Sequence, residues 1–443
     1  MPRTASLSAA LLLGLAMPSL AQAGQLLSLH EMASVSDPAV AAARAQAEAE
    51  KAQAGVFRAN LLPTLGATGA VTRSRDETSN SNFVGFEDTL TYSTNYSYGV
   101  QLSQPLFDAA AFARYAQVDD QLALAMAGSQ IAEQELILRV ATQYFDWLAA
   151  QDNLRFAQAE LAAIRRALEQ AEVRYEVGLA AITDKQEAQA RFDLARATEL
   201  SAAAQLRSRT QALRALTGSV PDKAYVLGEM ALQDAPAPGN PEPWVERALS
   251  DNLELLRADK QAEIARLEKN VARAGHYPTL DLVAEHSFSD TSDAQLGRES
   301  TTDQASLRLN LPLFSGGATR ARHKQAAANH LAAEAQAEST RRDVEQRTRD
   351  AYDGVVTGAA SVSALQQAVR SANTARDAVQ AGVEVGTRTN VDLLDAEREL
   401  FRARRDLARA RYDYLLNVLQ LERAVGSLDL QDLGRIDALL NPS

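Results

Sequence analysis

Residues 91 to 108 alternate between large apolar and small polar side chains with a period of two. The apolar members fall on even positions and are Tyr92, Tyr96, Tyr98, Val100 and Leu102. Successive side chains of a β-strand point to opposite faces of its sheet. The alternation therefore predicts a strand with one aromatic and aliphatic face, and the neighbour of that face is either a soluble core or lipid.

Three further stretches alternate in the same way. The four predicted strands span about 61–73, 91–104, 278–289 and 303–312. A polar loop that contains glycine joins each outgoing strand to its returning strand, and the two loops read RSRDETSNSNFVGFED and SDTSDAQLGREST. Strands of about 10 residues can cross a bilayer when they are tilted, and such loops are typical of its water-facing side.

Outside the strands, apolar residues recur at spacings of three and four, which predicts long helices packed side by side. The first long helix spans about 108–175, has no proline and only Gly128 in its interior, and would be about 100 Å long. A second long helix spans about 319–383. Shorter helices are predicted at about 31–57, 184–216, 243–274 and 391–425.

The chain also repeats itself. PLF at 105–107 recurs 207 residues later, and EVG at 176–178 recurs 208 residues later. LPTL at 62–65 recurs as YPTL 215 residues later, so the first copy carries eight extra residues between its strands. Such matched spacing over a long span indicates an internal duplication. Each copy is predicted to contain a helix, two strands joined by a loop, a long helix, a tip and a further helix.

The N-terminus carries Arg3, an apolar run and then Ala21-Gln22-Ala23, which predicts a cleaved signal peptide and export across the inner membrane. No other stretch is apolar enough for a spanning helix, so residence in a membrane would have to use β-strands.

The sequence divides into a signal peptide, two repeats, a linker between them and a C-terminal segment. The predicted bounds are 1–23 for the signal peptide, 24–218 for the first repeat with its tip at about 176–184, 219–243 for the proline-rich linker, 244–426 for the second repeat with its tip at about 384–392, and 427–443 for the C-terminal segment.

Composition excludes several classes of function. The formal net charge of -12 argues against nucleic acid as a partner, and the absence of cysteine excludes disulfides and thiolate zinc sites. The five histidines form no recognisable ligand set, and no nucleophile elbow or phosphate-binding loop is present. We therefore expect a folded protein that is not an enzyme and that uses no cofactor and no metal.

The two tips share the chemistry of helix ends. Gly178 and Gly386 suit C-caps in the left-handed region, while Thr183 with Asp184, and Thr389 in the second tip, suit the start of the next helix. A glycine at the end of one helix followed by polar residues at the start of the next predicts a tight helical hairpin.

Each tip also carries a pair of acids spaced by three residues. Asp184 with Glu187, and Asp392 with Asp395, fall on one face of the following helix. One interpretation is that they are N-terminal acids stabilised by the helix dipole. The other is that several chains present them toward a common axis, which would create rings of carboxylates that select cations.

Four strands alone cannot close a sheet in lipid, because both edges would keep unpaired backbone groups that a bilayer does not tolerate. Other copies of the chain would have to cover those edges. Closed membrane barrels begin at about eight strands, so at least two chains are needed.

The repeat and its motifs resemble the TolC family of outer-membrane channel-tunnel proteins. The resemblance covers nearly the whole mature chain and is carried by QPLFD and LPLFSGG, by YEVGLAAITDKQEAQARFD and VEVGTRTNVDLLDAEREL at the tips, and by AVGSLDLQDL near the end. It implies a mainly α fold with a small β part. Three chains would join their four-stranded sheets into one twelve-stranded barrel in the outer membrane, and the long helices would form a periplasmic α-barrel.

The resemblance also assigns roles to the tip residues. Asp392 and Asp395 match the family's periplasmic constriction, with Asp184 and Glu187 as a possible second ring. Arg388 matches a residue that holds the entrance closed by bonding to a neighbouring tip at the positions of Thr183 and Asp184. Relatives can carry tyrosine where this chain has Val383, so we expect a more weakly held gate.

By the same resemblance, the protein is the exit duct of a tripartite export system. Its partners would be two further copies, a periplasmic adaptor protein, an inner-membrane transporter driven by ATP or protons, and outer-membrane lipid. The rival hypothesis is a periplasmic coiled-coil adaptor without a pore, which leaves the amphipathic strands unexplained. A single-chain porin would need a larger share of strand. The sequence does not separate protein secretion from small-molecule efflux.

Overall fold

A computed structural model describes residues 24–78, 89–178, 180–221, 225–227, 239–293 and 298–442. The predicted signal peptide at 1–23 lies outside these ranges, as do the central parts of both polar loops and much of the predicted linker. Within them the protein is mostly helical with a small antiparallel sheet, as predicted.

Long paired helices and one extended sheet make up most of the chain. The helices are α1 (Gln25–Ser36), α2 (Pro38–Ala59), α3 (Ala109–Tyr115), α4 (Val118–Glu176), α5 (Ile182–Thr217), α6 (Glu242–Asp251), α7 (Leu253–Ala274), α8 (Ala318–Glu384), α9 (Asn390–Val425) and α10 (Leu430–Asp437). The strands are β1 (Thr64–Thr78), β2 (Thr89–Asp108), β3 (Tyr225–Leu227), β4 (Thr279–Asp293), β5 (Arg298–Asn310) and β6 (Leu440–Pro442).

The main sheet has the order β1-β2-β4-β5 and is antiparallel throughout. Its strands contain 15, 20, 15 and 13 residues, so the predicted length of about 10 was too short. The predicted ends followed the loss of apolar side chains, whereas backbone pairing continues through polar residues. The prediction that β2 ends at about residue 104, before PLFD, was also wrong. Pro105 is accommodated within the strand by a register shift between Pro105 and Phe107.

Three predicted helices are broken in two. Residues 31–57 divide at Asp37, whose carboxylate accepts from the backbone N–H groups of the next helix just after Pro38. Residues 243–274 divide at Asn252, which caps α7 in the same way. Residues 108–175 divide at Ala116 and Gln117, where the N–H of Gln117 bonds back three residues to the carbonyl of Arg114. No proline or glycine marks that last break.

The described ends of the chain meet beside the middle of the long helices. β3, from the predicted linker, pairs with β6 from the C-terminal segment. One turn earlier, the carboxylate of Asp437 accepts from the N–H groups of Leu26 and Leu27, each at 3.1 Å. Burial raises the pKa of the Asp437 carboxyl. The C-terminal segment therefore holds the start of α1.

The largest core lies at the same level and joins α1, α4, α9 and α10. Tyr144 and Phe145 are fully buried there. The ring of Phe145 stacks on Tyr412 with centroids 5.6 Å apart, and the hydroxyl of Tyr144 donates to Oε1 of Gln25 at 2.7 Å. The stacked rings join α4 of the first repeat to α9 of the second, and the hydrogen bond joins α1 to α4.

The sheet has one apolar face that nothing in the described chain covers. Its β2 side chains are the five predicted from the alternation, and each is at least 36% exposed: Tyr92, Tyr96, Tyr98, Val100 and Leu102. The opposite face carries polar contacts, such as those that Ser289 and Thr291 donate to Oδ1 of Asn95. No helix in the described ranges has both the length and the apolar character required to span a membrane.

Candidate functional site at the helix tips

The two tips are closed by the predicted glycines. Gly178 has φ of 75° and Gly386 has φ of 76°, both in the left-handed region. The first turn follows α4 and leads into α5, and the second follows α8 and leads into α9. A residue with a Cβ is strained in this conformation, which explains why glycine occupies both positions.

The second tip forms a reciprocal capping box. Oγ1 of Thr389 accepts from the N–H of Asp392 at 3.2 Å, and Oδ2 of Asp392 accepts from the N–H of Thr389 at 2.9 Å. The Thr389 hydroxyl also donates to Asp392 at 2.9 Å. These bonds from Thr389, together with the charge of Arg388, hold the pKa of the Asp392 carboxyl below its usual range. Asp392 is therefore a negatively charged group at the start of α9.

The first tip differs from the prediction. α5 begins one residue before Thr183, and its N-cap is Ala181, which has no side chain that can cap. Thr183 is therefore not a cap, and the N–H of Asp184 instead bonds to the Ala181 carbonyl at 3.1 Å. Asp184 does supply negative charge to the first turn of the helix, as predicted.

An arginine that the sequence-based prediction missed joins the two tips. Nη1 of Arg191 lies 2.8 Å from Oδ1 of Asp395, and its Nη2 lies 3.4 Å from Oε1 of Glu187. One guanidinium on α5 thus contacts one acid from each predicted pair. The spacing of Asp184, Glu187 and Arg191 by three and then four residues places all three on one helix face, which was a signal available in the sequence.

A small apolar cluster supports this ion pair. Leu394 of α9 is 3% exposed and packs among residues of α4 and α5. The other buried members of the cluster are Ile164, Ala167, Leu168, Ala171, Ala188 and Ala195. Small alanine side chains allow the helices to approach closely, so α9 lies firmly against the first hairpin at this level.

The predicted gate residues do not meet within one chain. Arg388 is exposed, and no ion pair or side-chain hydrogen bond joins it to Thr183 or Asp184 in the ranges described. Val383, at the position where relatives can carry tyrosine, is 5% exposed. The role of Arg388 as a lock between neighbouring tips stays a prediction.

Known proteins are similar to this chain over most of its length. At 35% identity over 432 residues, it is similar to the outer membrane protein TolC of Escherichia coli strain K12, covering 94% of this chain and 85% of that protein. At 32% identity it is similar to the alkaline protease secretion protein AprF of Pseudomonas aeruginosa, covering 93% and 86%.

Solved structures show the same fold. The crystal structure of the Campylobacter jejuni CmeC outer membrane channel superposes with a TM-score of 0.80 at 17% identity, over 94% of this chain and 90% of that one. The family described as outer membrane efflux protein matches residues 29–219 and 244–427, which are the two repeats. The chain therefore belongs to the outer membrane efflux protein family and is a non-enzymatic outer-membrane efflux or secretion channel with a periplasmic helical extension.

Proposed function

We propose that three copies of the chain form the exit duct of a tripartite export system. Three sheets of four strands would close one twelve-stranded barrel. The observation that carries this proposal is the sheet, which has an apolar face at least 36% exposed along β2 and two edges that no other strand pairs in the described chain. A face and edges of this kind fit a bilayer and further copies.

The helices supply the length that such a duct needs. α4 has 59 residues and α8 has 67. At 1.5 Å per residue they reach about 90 and 100 Å from the sheet side to the tips. The tips would then form the periplasmic entrance, where an adaptor protein and an inner-membrane transporter deliver the cargo.

The charges at the tips support a cation-preferring entrance with unequal roles for its acids. Arg191 contacts both Glu187 and Asp395, so these two carboxylates are partly neutralised. Asp392 keeps its charge, because its partners are the backbone and hydroxyl groups of Thr389. We therefore assign the dominant ring to Asp392 rather than equally to Asp392 and Asp395.

Asp392→Asn is expected to lower the cation preference of single channels by about twofold or more, because it removes one charge per chain close to the axis. Asparagine retains an oxygen that can accept from the N–H of Thr389, so the cap survives. The measurement is the reversal potential of purified protein in a planar bilayer under a salt gradient. Asp413→Asn, on the same helix but far from the tip, is the matched control and leaves the preference unchanged.

Acidification provides a second readout in the same bilayers. Because the pKa of Asp392 lies below the usual range, a larger share of Asp392 than of an ordinary aspartate stays ionised at a pH of about 4. We therefore expect wild type to keep a higher cation preference than Asp392→Asn at that pH. Channels with equal preference in wild type and Asp392→Asn would contradict the assigned ring, and folded protein without channels would contradict the duct itself.

Arg191→Gln is expected to change selectivity in the opposite direction. The substitution removes the 2.8 Å contact to the Asp395 carboxylate, which keeps only a longer contact of 3.5 Å to Arg398, and adds net negative charge at the entrance, so cation preference rises. Reversal potentials again provide the measurement. Arg402→Gln is the matched control. It removes the same charge from an exposed site on α9, two turns further from the tip than Asp395, and is expected to change the cation preference less. Equal shifts in both variants would show that the Arg191 bridge has no special role.

We propose proteins as one cargo class, and the similarity to a protease secretion protein supports this proposal. A protease secretion protein is similar to this chain at 32% identity over nearly its whole length. The test replaces that relative with this chain in cells that contain the relative's own inner-membrane partners. Secretion of the protease is then measured. Recovery of secreted protease would support protein cargo, and export of small molecules alone would favour efflux.

A further inference from the structure

Asp437 differs from the other buried carboxylates of the described chain because it lacks a cation. Each of the other three pairs with an arginine: Asp37 with Arg139 at 2.9 Å, Glu160 with Arg405 at 2.7 Å, and Asp432 with Arg435. Asp437 is 4% exposed, and no lysine, arginine or histidine of the described ranges forms an ion pair with it. A buried carboxylate without a partner of opposite charge is costly, because it has lost its contact with water.

The Asp437 carboxylate takes the place of an N-cap side chain for α1. Gly24 is the N-cap residue of this helix and has no side chain of its own. The N–H groups of Leu26 and Leu27, which bond to Asp437, are the second and third of the helix and are those that an N-cap side chain normally serves. Asp437 therefore caps α1 from α10.

Gly24 lies directly against the same carboxylate. A Cβ added to Gly24 would lie 1.9 Å from Oδ2 and 2.1 Å from Cγ of Asp437, so glycine leaves room that a side chain would fill. Since the bonds to the Gly24 Cα are about 1.5 Å long, its backbone nitrogen lies within about 5 Å of Oδ2. A positive charge on that nitrogen would be close enough to stabilise the carboxylate.

The predicted signal peptide ends immediately before Gly24. Its motif, Ala21-Gln22-Ala23, places the cut between Ala23 and Gly24. In the uncut chain the Gly24 nitrogen belongs to a neutral amide. Hydrolysis of that amide by water leaves a carboxylate on Ala23 and an amine on Gly24, and such an amine takes up a proton at neutral pH because α-amino groups titrate near pH 8.

We propose that signal-peptide cleavage supplies the missing cation, and that the new α-ammonium group of Gly24 forms an ion pair with the carboxylate of Asp437. The pair joins the first residue of the mature chain to α10, and it exists only in the cleaved protein. It lies within one chain, so it stands or falls separately from the proposed barrel and duct.

Two measurements on the purified, folded protein test the pair. Mass spectrometry of the N-terminal peptide is expected to show a chain that begins at Gly24. An acylating reagent is then used to label the α-amino group over a range of pH, and labelling is counted on that peptide alone. Only the unprotonated amine reacts, and a paired ammonium keeps its proton, so we expect several-fold slower labelling at neutral pH in wild type than in Asp437→Asn.

The pH profile separates the ion pair from fraying of the helix end. Loss of the pair lowers the pH of half-maximal labelling by about one unit, whereas fraying raises the rate equally at every pH. Asparagine keeps the size of the side chain and one oxygen that accepts an N–H group. The titratable side chain that acts on Asp437 from α4 is Tyr144, and burial raises the pKa of its hydroxyl above the range tested.

Two further variants are the matched controls. A glycine inserted between Ala23 and Gly24 keeps the cleavage motif and Asp437 but moves the ammonium one residue away, so its midpoint is expected to match that of Asp437→Asn. Glu31→Gln removes a negative charge from an exposed site on α1, and its midpoint is expected to match wild type.

The outcomes decide the proposal. A chain that begins at Gly24, with a lower labelling midpoint in both Asp437→Asn and the insertion variant, supports the ion pair. A mature chain that begins elsewhere, or one midpoint shared by wild type and Asp437→Asn, overturns it and leaves Asp437 as a cap alone. If Asp437→Asn does not fold, a midpoint of the insertion variant equal to that of wild type overturns the pair, and a lower midpoint supports it.

Discussion

Phe145→Ala is expected to lower the free energy of unfolding by about 3–5 kcal/mol, which is the largest effect of any single core substitution that we predict. Phe145 is fully buried, and its ring stacks on Tyr412 in the core that joins both repeats. Truncation removes the transfer energy of the ring and leaves a cavity. Chemical unfolding of the trimer in detergent, followed by helical circular dichroism, provides the measurement.

Phe112→Ala is the matched control for this prediction. Phe112 is 50% exposed, so the same truncation is expected to cost about 1 kcal/mol. A similar loss for both variants would mean that the core around Tyr412 does not limit stability. Channel conductance at the tips should remain unchanged in any Phe145→Ala protein that still folds, because this core lies far along α4 from the turn at Gly178.

Gly426→Ala is expected to destabilise the protein by about 2–5 kcal/mol. The residue ends α9 with φ of 97°, and a left-handed conformation costs about 1–2 kcal/mol for a residue with a Cβ. The added Cβ would also lie 2.4 Å from the carbonyl oxygen of Asp251 and 2.8 Å from Cα of Asn252. Relief of this overlap must move backbone, for which overpacking costs of about 1–3 kcal/mol are typical.

Gly386→Ala separates the two causes. Gly386 has φ of 76°, but a Cβ added there meets nothing within 4 Å. We expect a loss of only about 1–2 kcal/mol, from the backbone conformation alone. Thermal unfolding of the two variants side by side gives the comparison. Equal destabilisation would show that the close approach between α9 and Asp251 relaxes without cost.

The sequence predicts those features whose signals are local. The alternation in β2 and the glycines at the two tips were predicted correctly, because each depends on residues adjacent in the chain. The duplication was equally visible, and the matches of the family model to two separate segments agree with it. Together with the resemblance carried by the tip motifs, these features are sufficient to predict the mainly α fold class.

The features that the sequence did not predict depend on distant partners. The spacing of Glu187 and Arg191 predicts their own contact, but it does not predict that Arg191 also meets Asp395, which lies 204 residues away in the chain. Gly426 resembles any helix-ending glycine until Asp251 is found against it. The tripeptide PLF lies in a strand at 105–107 and outside the strands at 312–314, and the flanking residues differ as well as the neighbouring strand.

The bond from Asp437 to the start of α1 has a consequence for biogenesis. Synthesis proceeds from the N-terminus, so α1 is made first, yet its anchoring carboxylate lies 411 residues further along the chain. Loop closure over such a distance is entropically costly and slow, and it cannot begin before the last segment is made. The helix α1 can therefore gain this anchor only after α10 has been made. A chain released before Asp437 would leave the start of α1 without the carboxylate that accepts its N–H groups.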